Sequence, residues 1–213
     1  MKLPFTREQF FDAFTAYNEA VWPMQLVLYA LGLAALALAF SRGRQSGRVI
    51  SVVLALLWAW MGAVYHLGFF RPVNPAAVIF GVLFLAGAAV FAWEGGVRGR
   101  LRFQARSGLG YLLLGYALVA YPLLAVLFGH AYPAMPTFGL PCPTTIFTIG
   151  MLALLRAPYP RHVLVVPVLW ALIGLQAAFF LGVYEDLGLL AAAAAGAWLA
   201  LQGRRTHEQP LVS

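Results

Sequence analysis

Long apolar runs alternate with short polar segments along the chain. The runs fall at about 22–40, 49–70, 76–93, 108–128, 144–155, 163–181 and 187–201. The longer ones approach the roughly 20 residues that a membrane-crossing helix needs. The pattern predicts an all-α fold, a polytopic membrane bundle of about seven transmembrane helices. Short connections predict one compact unit, so residues 1–213 read as a single integral membrane domain.

Two runs are brief. The fifth, 144–155, gives about 18 Å of helix against a hydrocarbon core of about 30 Å. A half-span facing a polar crevice, or a locally thinned membrane, accommodates such a segment. The seventh holds the alanine run Ala191 to Ala195, and small side chains favour close helix packing.

Residues 5–20 follow another pattern. Thr6 and Gln9 form a Thr-x-x-Gln capping box, which starts a helix. Phe10, Phe14, Tyr17 and Val21 then recur on one face, with Arg7, Glu8 and Asp12 off it. This predicts an N-terminal interfacial amphipathic helix, its aromatic face down in the membrane surface. The alternative is a lid over an outward-facing pocket. The segment carries more acid than base, the wrong charge for a signal peptide, so the first span reads as an anchor.

A faint echo links Leu57-Trp58-Ala59-Trp60-Met61-Gly62 with Leu169-Trp170-Ala171-Leu172-Ile173-Gly174. The first and fifth spans also begin near prolines, Pro23 and Pro143. A parallel three-plus-one-plus-three repeat would produce both.

Composition sharpens the class. Of 213 residues, 62% are apolar and 10% charged, with a mean hydropathy of +0.83. Soluble domains average about 25% charged residues. A soluble enzyme, a nucleic-acid-binding domain and a disordered tail are excluded. The formal charge of +7 has a topological explanation. Arg42, Arg44 and Arg48 share one loop; Arg98, Arg100, Arg102 and Arg106 share another. Arg156 with Arg161, and Arg204 with Arg205, follow in alternate loops. Positive charge marks the cytoplasmic side, which puts the N-terminus outside and the C-terminus inside. Glu8, Asp12, Glu19, Glu185 and Asp186 then fall outside, and Glu94 and Glu208 inside.

Candidate chemistry gathers on the outer side. Gln25 and Tyr29 lie in the first span, and Tyr65 and His66 near the outer end of the second. Asn74 follows in a loop. His130, Tyr132 and Thr137 precede the fifth span, where Cys142, Thr144, Thr145 and Thr148 stand. Gln176 is in the sixth, and Glu185 and Asp186 close the last outer loop. Polar groups in hydrocarbon are costly and usually face a cavity or a partner. Four prolines between Pro133 and Pro143 forbid a regular helix there. Pro143 suits a first helical turn, whose free N–H groups, with Thr144 and Thr145, form a candidate anion or carbonyl site. The single cysteine, Cys142, permits no internal disulfide. As a nucleophile it needs a base, and His130 is the one in its loop. Asp186 suits an N-cap of the last span. His66, His130 and Cys142 are candidate metal ligands, and two histidines are also a candidate axial pair for haem. Lys2 is the only lysine, which excludes a retinal Schiff base within the bundle. There is no phosphate loop, dinucleotide fingerprint or His-Glu-x-x-His motif.

The stretches Pro4 to Phe10, Tyr17-Asn18 with Trp22-Pro23, Pro136 to Gly139, Pro141 to Thr148 and Glu185 to Gly188 resemble a family of uncharacterised bacterial multi-pass membrane proteins of unknown function. The resemblance implies a bacterial inner-membrane location and supplies no active site. The layout also resembles three-plus-one-plus-three sugar transporters in outline only.

These features lead to a membrane protein whose outward polar pocket comprises His66, Tyr65, Gln25, Cys142, Thr144, Thr145, Gln176, Glu185 and Asp186. A transporter or channel for a small solute or ion is the first expectation. A metal-binding or enzymatic membrane protein with its site at the outer face is the second. A structural subunit of a larger complex, or an oligomer, is the third.

Overall fold

The computed structural model describes residues 4–205 apart from 42 and 44, without the side chains of 203–205. Lys2, Arg42, Arg44 and Glu208 lie outside the described residues. The described residues are mostly helical, with isolated bridges in place of strands. In order, the helices are α1 (Arg7–Ala20) and α2 (Met24–Phe40), then α3 (Ser46–Phe70), α4 (Ala77–Val97) and α5 (Gly108–Leu127). The short α6 (Pro141–Leu152) follows, then α7 (Arg161–Phe180) and α8 (Tyr184–Gln202). Among the described residues, five helices are long and apolar enough to cross a membrane. The bent pair α1 and α2 would make a sixth. The count of seven is therefore not reached: α6 has only 12 residues and is buried along nearly its whole length.

Much of the helix surface is apolar. Ile79, Leu112, Leu123, Leu127 and Phe179 are each more than half exposed. In water such a surface would aggregate; in lipid it is the expected exterior. Several helices are thus long and apolar enough to span a membrane, and a lipid bilayer suits the apolar residues they expose.

α1 begins as its capping box dictates. Thr6 Oγ1 accepts from the Gln9 backbone N–H at 3.3 Å, and Gln9 Oε1 accepts from the Thr6 backbone N–H at 2.9 Å. A backbone hydrogen bond, then one from Thr6, holds the Glu8 carboxyl below its ordinary range. The helix then turns 87° into α2. Its aromatic stripe does not face lipid. Phe10, Phe14 and Tyr17 are buried against Tyr65 and Phe70 of α3. Apolar rings on one face gain as much from a protein wall as from an acyl layer, so periodicity alone did not choose between them.

Three helices contain π-helical stretches, at Met61–Phe70, Ala92–Val97 and Tyr116–Ala120. Such wide turns are rare in proteins and recur at functional sites. The first carries Tyr65 and His66. The second carries Glu94 and Gly95. Gly95 is buried with no room for a side chain, because an added Cβ would collide with Ser51 of α3.

α6 sits at the centre. Its entry turn uses Gly139 at φ +99, a conformation open to glycine. The Gly139 N–H donates to Thr144 Oγ1 at 2.9 Å. One turn on, Thr148 Oγ1 donates to the Thr144 carbonyl and accepts from Trp58 Nε1 at 3.0 Å.

Candidate functional site

The candidate residues divide into four places. The first is a cavity of about 160 Å³. Its walls come from α1 (Phe10 and Phe14), α3 (Tyr65 and His66), α6 (Cys142) and α7 (Trp170 and Gln176). α1 therefore forms one wall of it. An interior space of about 150 Å³ is enough to bind benzene.

His66 is fully buried in this wall. Aromatic rings surround it, with centroids at 4.7 Å (Phe84), 5.0 Å (Trp170) and 5.7 Å (Phe80). Neither ring nitrogen has a hydrogen-bond partner, while Trp170 Nε1 interacts with Cys142. Each such buried atom costs about 1–3 kcal/mol. The cage is chemically one-sided: rings supply dispersion, and the imidazole supplies one donor and one acceptor.

The second place adjoins the first through Cys142. A Cβ at Gly174 would lie 3.3 Å from Trp170 Nε1 and 3.5 Å from Cys142 Sγ. Cys142 also interacts with the Asp186 carboxylate. Asp186 Oδ1 accepts from the Tyr121 hydroxyl at 2.6 Å. Next to it, Glu185 Oε1 pairs with His130 Nδ1 at 2.8 Å, both side chains buried. The Tyr116 hydroxyl donates to the Glu185 carbonyl at 2.7 Å. Glu185 Oε2 and His130 Nε2 are left without partners. Asp186 was expected to cap the last helix. It lies instead within the 3₁₀ turn Tyr184–Leu187 that opens α8, and its carboxylate turns to Tyr121. His130 is paired with Glu185 rather than with Cys142, so the expected nucleophile–base pair does not form.

The third place is a hub on Asn18, fully buried in α1. Its Nδ2 donates to the carbonyls of Pro133 at 2.6 Å and Met135 at 2.8 Å. Its Oδ1 accepts from Thr137 Oγ1 at 2.7 Å. Gln25 Nε2 donates to the Asn18 carbonyl at 2.8 Å. Gln25 thus serves this hub and does not line the cavity. Asn18 ties α1 to the proline-rich loop. It follows Phe14 by one helical turn, so an amide on the buried stripe was the signal for it.

The fourth place is the start of α6. Thr144 is occupied by Gly139, while the Thr145 hydroxyl is buried without a partner. The expected anion site fails on backbone chemistry. Helix α6 starts at Pro141, so both Pro141 and Pro143 lack an N–H in its first turn. Among the described residues, no group of three His, Cys, Asp or Glu side chains could hold a metal ion. His66 and Cys142 share the cavity, and His130 stands in the acidic cluster.

An all-helical protein with apolar helices long enough to span a membrane, and a ring-walled cavity among them, is the class these observations define. Residues 7–210 match a family described as a family of unknown function, DUF6064. The match spans nearly the whole chain, and the protein belongs to that family. Comparison with curated proteins and with solved structures gave no match.

Proposed function

We propose that this protein binds a small, largely apolar molecule with one hydrogen-bonding group in the His66 cavity, as the binding step of a transporter. The supporting observation is His66 itself, a fully buried imidazole with two unpartnered nitrogens in an aromatic wall. A flat ring with one donor or acceptor would stack in the cage and satisfy a nitrogen. An ion is favoured less, because the cavity wall carries no charged side chain.

The reading includes a single domain over 1–213 in a bacterial inner membrane. The N-terminus is outside, supported by the arginines of alternate loops. The cavity then opens to the outer face. Transport would begin with release of α1 at the Asn18 hub. Tyr65 and Gln176 stand at the cavity to orient the solute, and the neighbouring Glu185 and Asp186 are the groups for proton coupling.

The test is calorimetric titration of the purified chain with one-ring compounds: phenol, pyridine and toluene. Phenol or pyridine should bind, toluene at least tenfold more weakly, and His66→Phe should remove the difference. Equal binding of all three, or none by any, would refute the assignment. Uptake of the tightest binder into proteoliposomes then separates a transporter from a static binding protein.

A further inference from the structure

The end of the molecule opposite the cavity holds a second concave region, a cleft of about 980 Å³. Its walls include Arg48, Arg98, Arg102, Arg106 and Arg156, and no acidic side chain. Arg98 pairs with Glu94 at 3.1 Å. No ion pair is formed by Arg48, Arg102, Arg106 or Arg156 among the described residues. A second cleft, of about 620 Å³, shares Arg98, Arg102 and Arg156 with the first.

Topology accounts for arginines on this side of a membrane, but not for their positions. An isolated antiparallel bridge joins Phe103 to Leu155. Gln104 N–H donates to the Leu154 carbonyl at 2.7 Å, and Arg156 N–H to the Arg102 carbonyl at 2.8 Å. This register sets Arg102 directly opposite Arg156, on the face away from Phe103 and Leu155. Like charges held opposite each other destabilise a pairing. Backbone hydrogen bonds nevertheless fix them there, between two clefts. The start of α3 lines the same cleft, and its N-cap residue Gln45 makes no side-chain cap. The partial positive charge of that helix end adds to the four free guanidinium groups.

We propose that this cleft is a binding site for a phosphate group, with Arg102 and Arg156 as the central pair and Arg48 and Arg106 as the flanking walls. Guanidinium groups bind phosphate oxygens in a bidentate fork, and a phosphate between two arginines removes their repulsion. The phosphate belongs to an anionic lipid headgroup or to a free phosphate in solution, and the chemistry is common to both. The site is independent of the cavity reading.

The experiment is thermal unfolding of the full chain in a neutral detergent, with phosphatidylglycerol, phosphatidylcholine or inorganic phosphate added. A rise in Tm with phosphatidylglycerol alone assigns the site to a lipid headgroup. A rise with inorganic phosphate assigns it to the free anion. In either case Arg102→Gln/Arg156→Gln should weaken binding about 25-fold, taking about fivefold per arginine. Arg71→Gln, away from this cleft, should leave the rise unchanged. If the double variant does not fold, Arg48→Gln/Arg106→Gln replaces it, with the same expectation. No rise with any addition, a rise with phosphatidylcholine equal to that with phosphatidylglycerol, or one that survives in the arginine variant, overturns the proposal.

Discussion

Replacing His66 with phenylalanine should make the ligand-free protein more stable while abolishing its polar recognition. The substitution removes two buried nitrogens that have no partner. It keeps a flat ring inside a cage whose neighbours lie at 4.7 Å and 5.0 Å, distances suited to a phenyl group. Two unpartnered atoms at the low end of their cost amount to about 2 kcal/mol. The slightly larger ring returns part of this through tighter packing, leaving a gain of roughly 1–2 kcal/mol. For a chain of this size that is a rise in Tm of about 2–8 °C. His66→Ala should move the other way by about 2–4 kcal/mol, because it empties the cage. Both are read by thermal unfolding in detergent without added ligand. A His66→Phe protein that unfolds below the parent would refute the reasoning, since the imidazole nitrogens would then be contributing to stability.

Asn18→Ala should cost about 3 kcal/mol, from three hydrogen bonds to the loop at about 1 kcal/mol each, and should speed proteolysis between residues 132 and 139. Asn18→Asp places a carboxylate against two carbonyls at 2.6 Å and 2.8 Å. Its folded-state pKa must rise, so its stability should recover as pH falls and decline as pH rises, as a pH series of unfolding midpoints would record. Gly95→Ala should destabilise by about 1–3 kcal/mol through collision with Ser51, and Gly95→Ala/Ser51→Gly should recover most of the loss in a double-mutant cycle. Thr148→Val, which strands the Trp58 N–H, should cost about 1–3 kcal/mol in the same unfolding assay.

Hydrophobic runs located the helices to within four residues, because lipid permits little other than helix and each run must match the bilayer. The Thr6–Gln9 box was legible for a similar reason: its hydrogen bonds are local. The count of seven is not reached among the described residues, because α6 is short and buried on nearly all sides. Site geometry was less legible. His66, Tyr65, Cys142 and Gln176 share a cavity only because of how α3, α6 and α7 are rotated, and uniformly apolar helices carry no periodicity that fixes rotation. Gln25 pointed elsewhere, to Asn18. Trp170 and Phe84 completed the His66 cage unnoticed, since an aromatic residue in a span usually reads as packing. Tyr121 and Tyr116 meet the acidic turn from 65 and 69 positions away, a pairing no local pattern announces.

Glu94, almost fully buried, holds Arg98 at 3.1 Å, Arg100 at 3.3 Å and His162 at 3.4 Å. The Asn18 hub at the other end uses neutral amide, hydroxyl and carbonyl groups. Dissolved salt distinguishes the two ends. At 0.1 M it screens exposed charges beyond about 10 Å and acts much less on close pairs that include a buried partner. Rising ionic strength therefore leaves the Glu94 pairs and the neutral Asn18 contacts in place, and weakens the repulsion between the exposed Arg102 and Arg156. Amide hydrogen exchange should show this as slower exchange around residues 102–106 and 154–156 with no change around residues 132–139. The protein is in this sense sensitive to the electrolyte at one end and indifferent to it at the other.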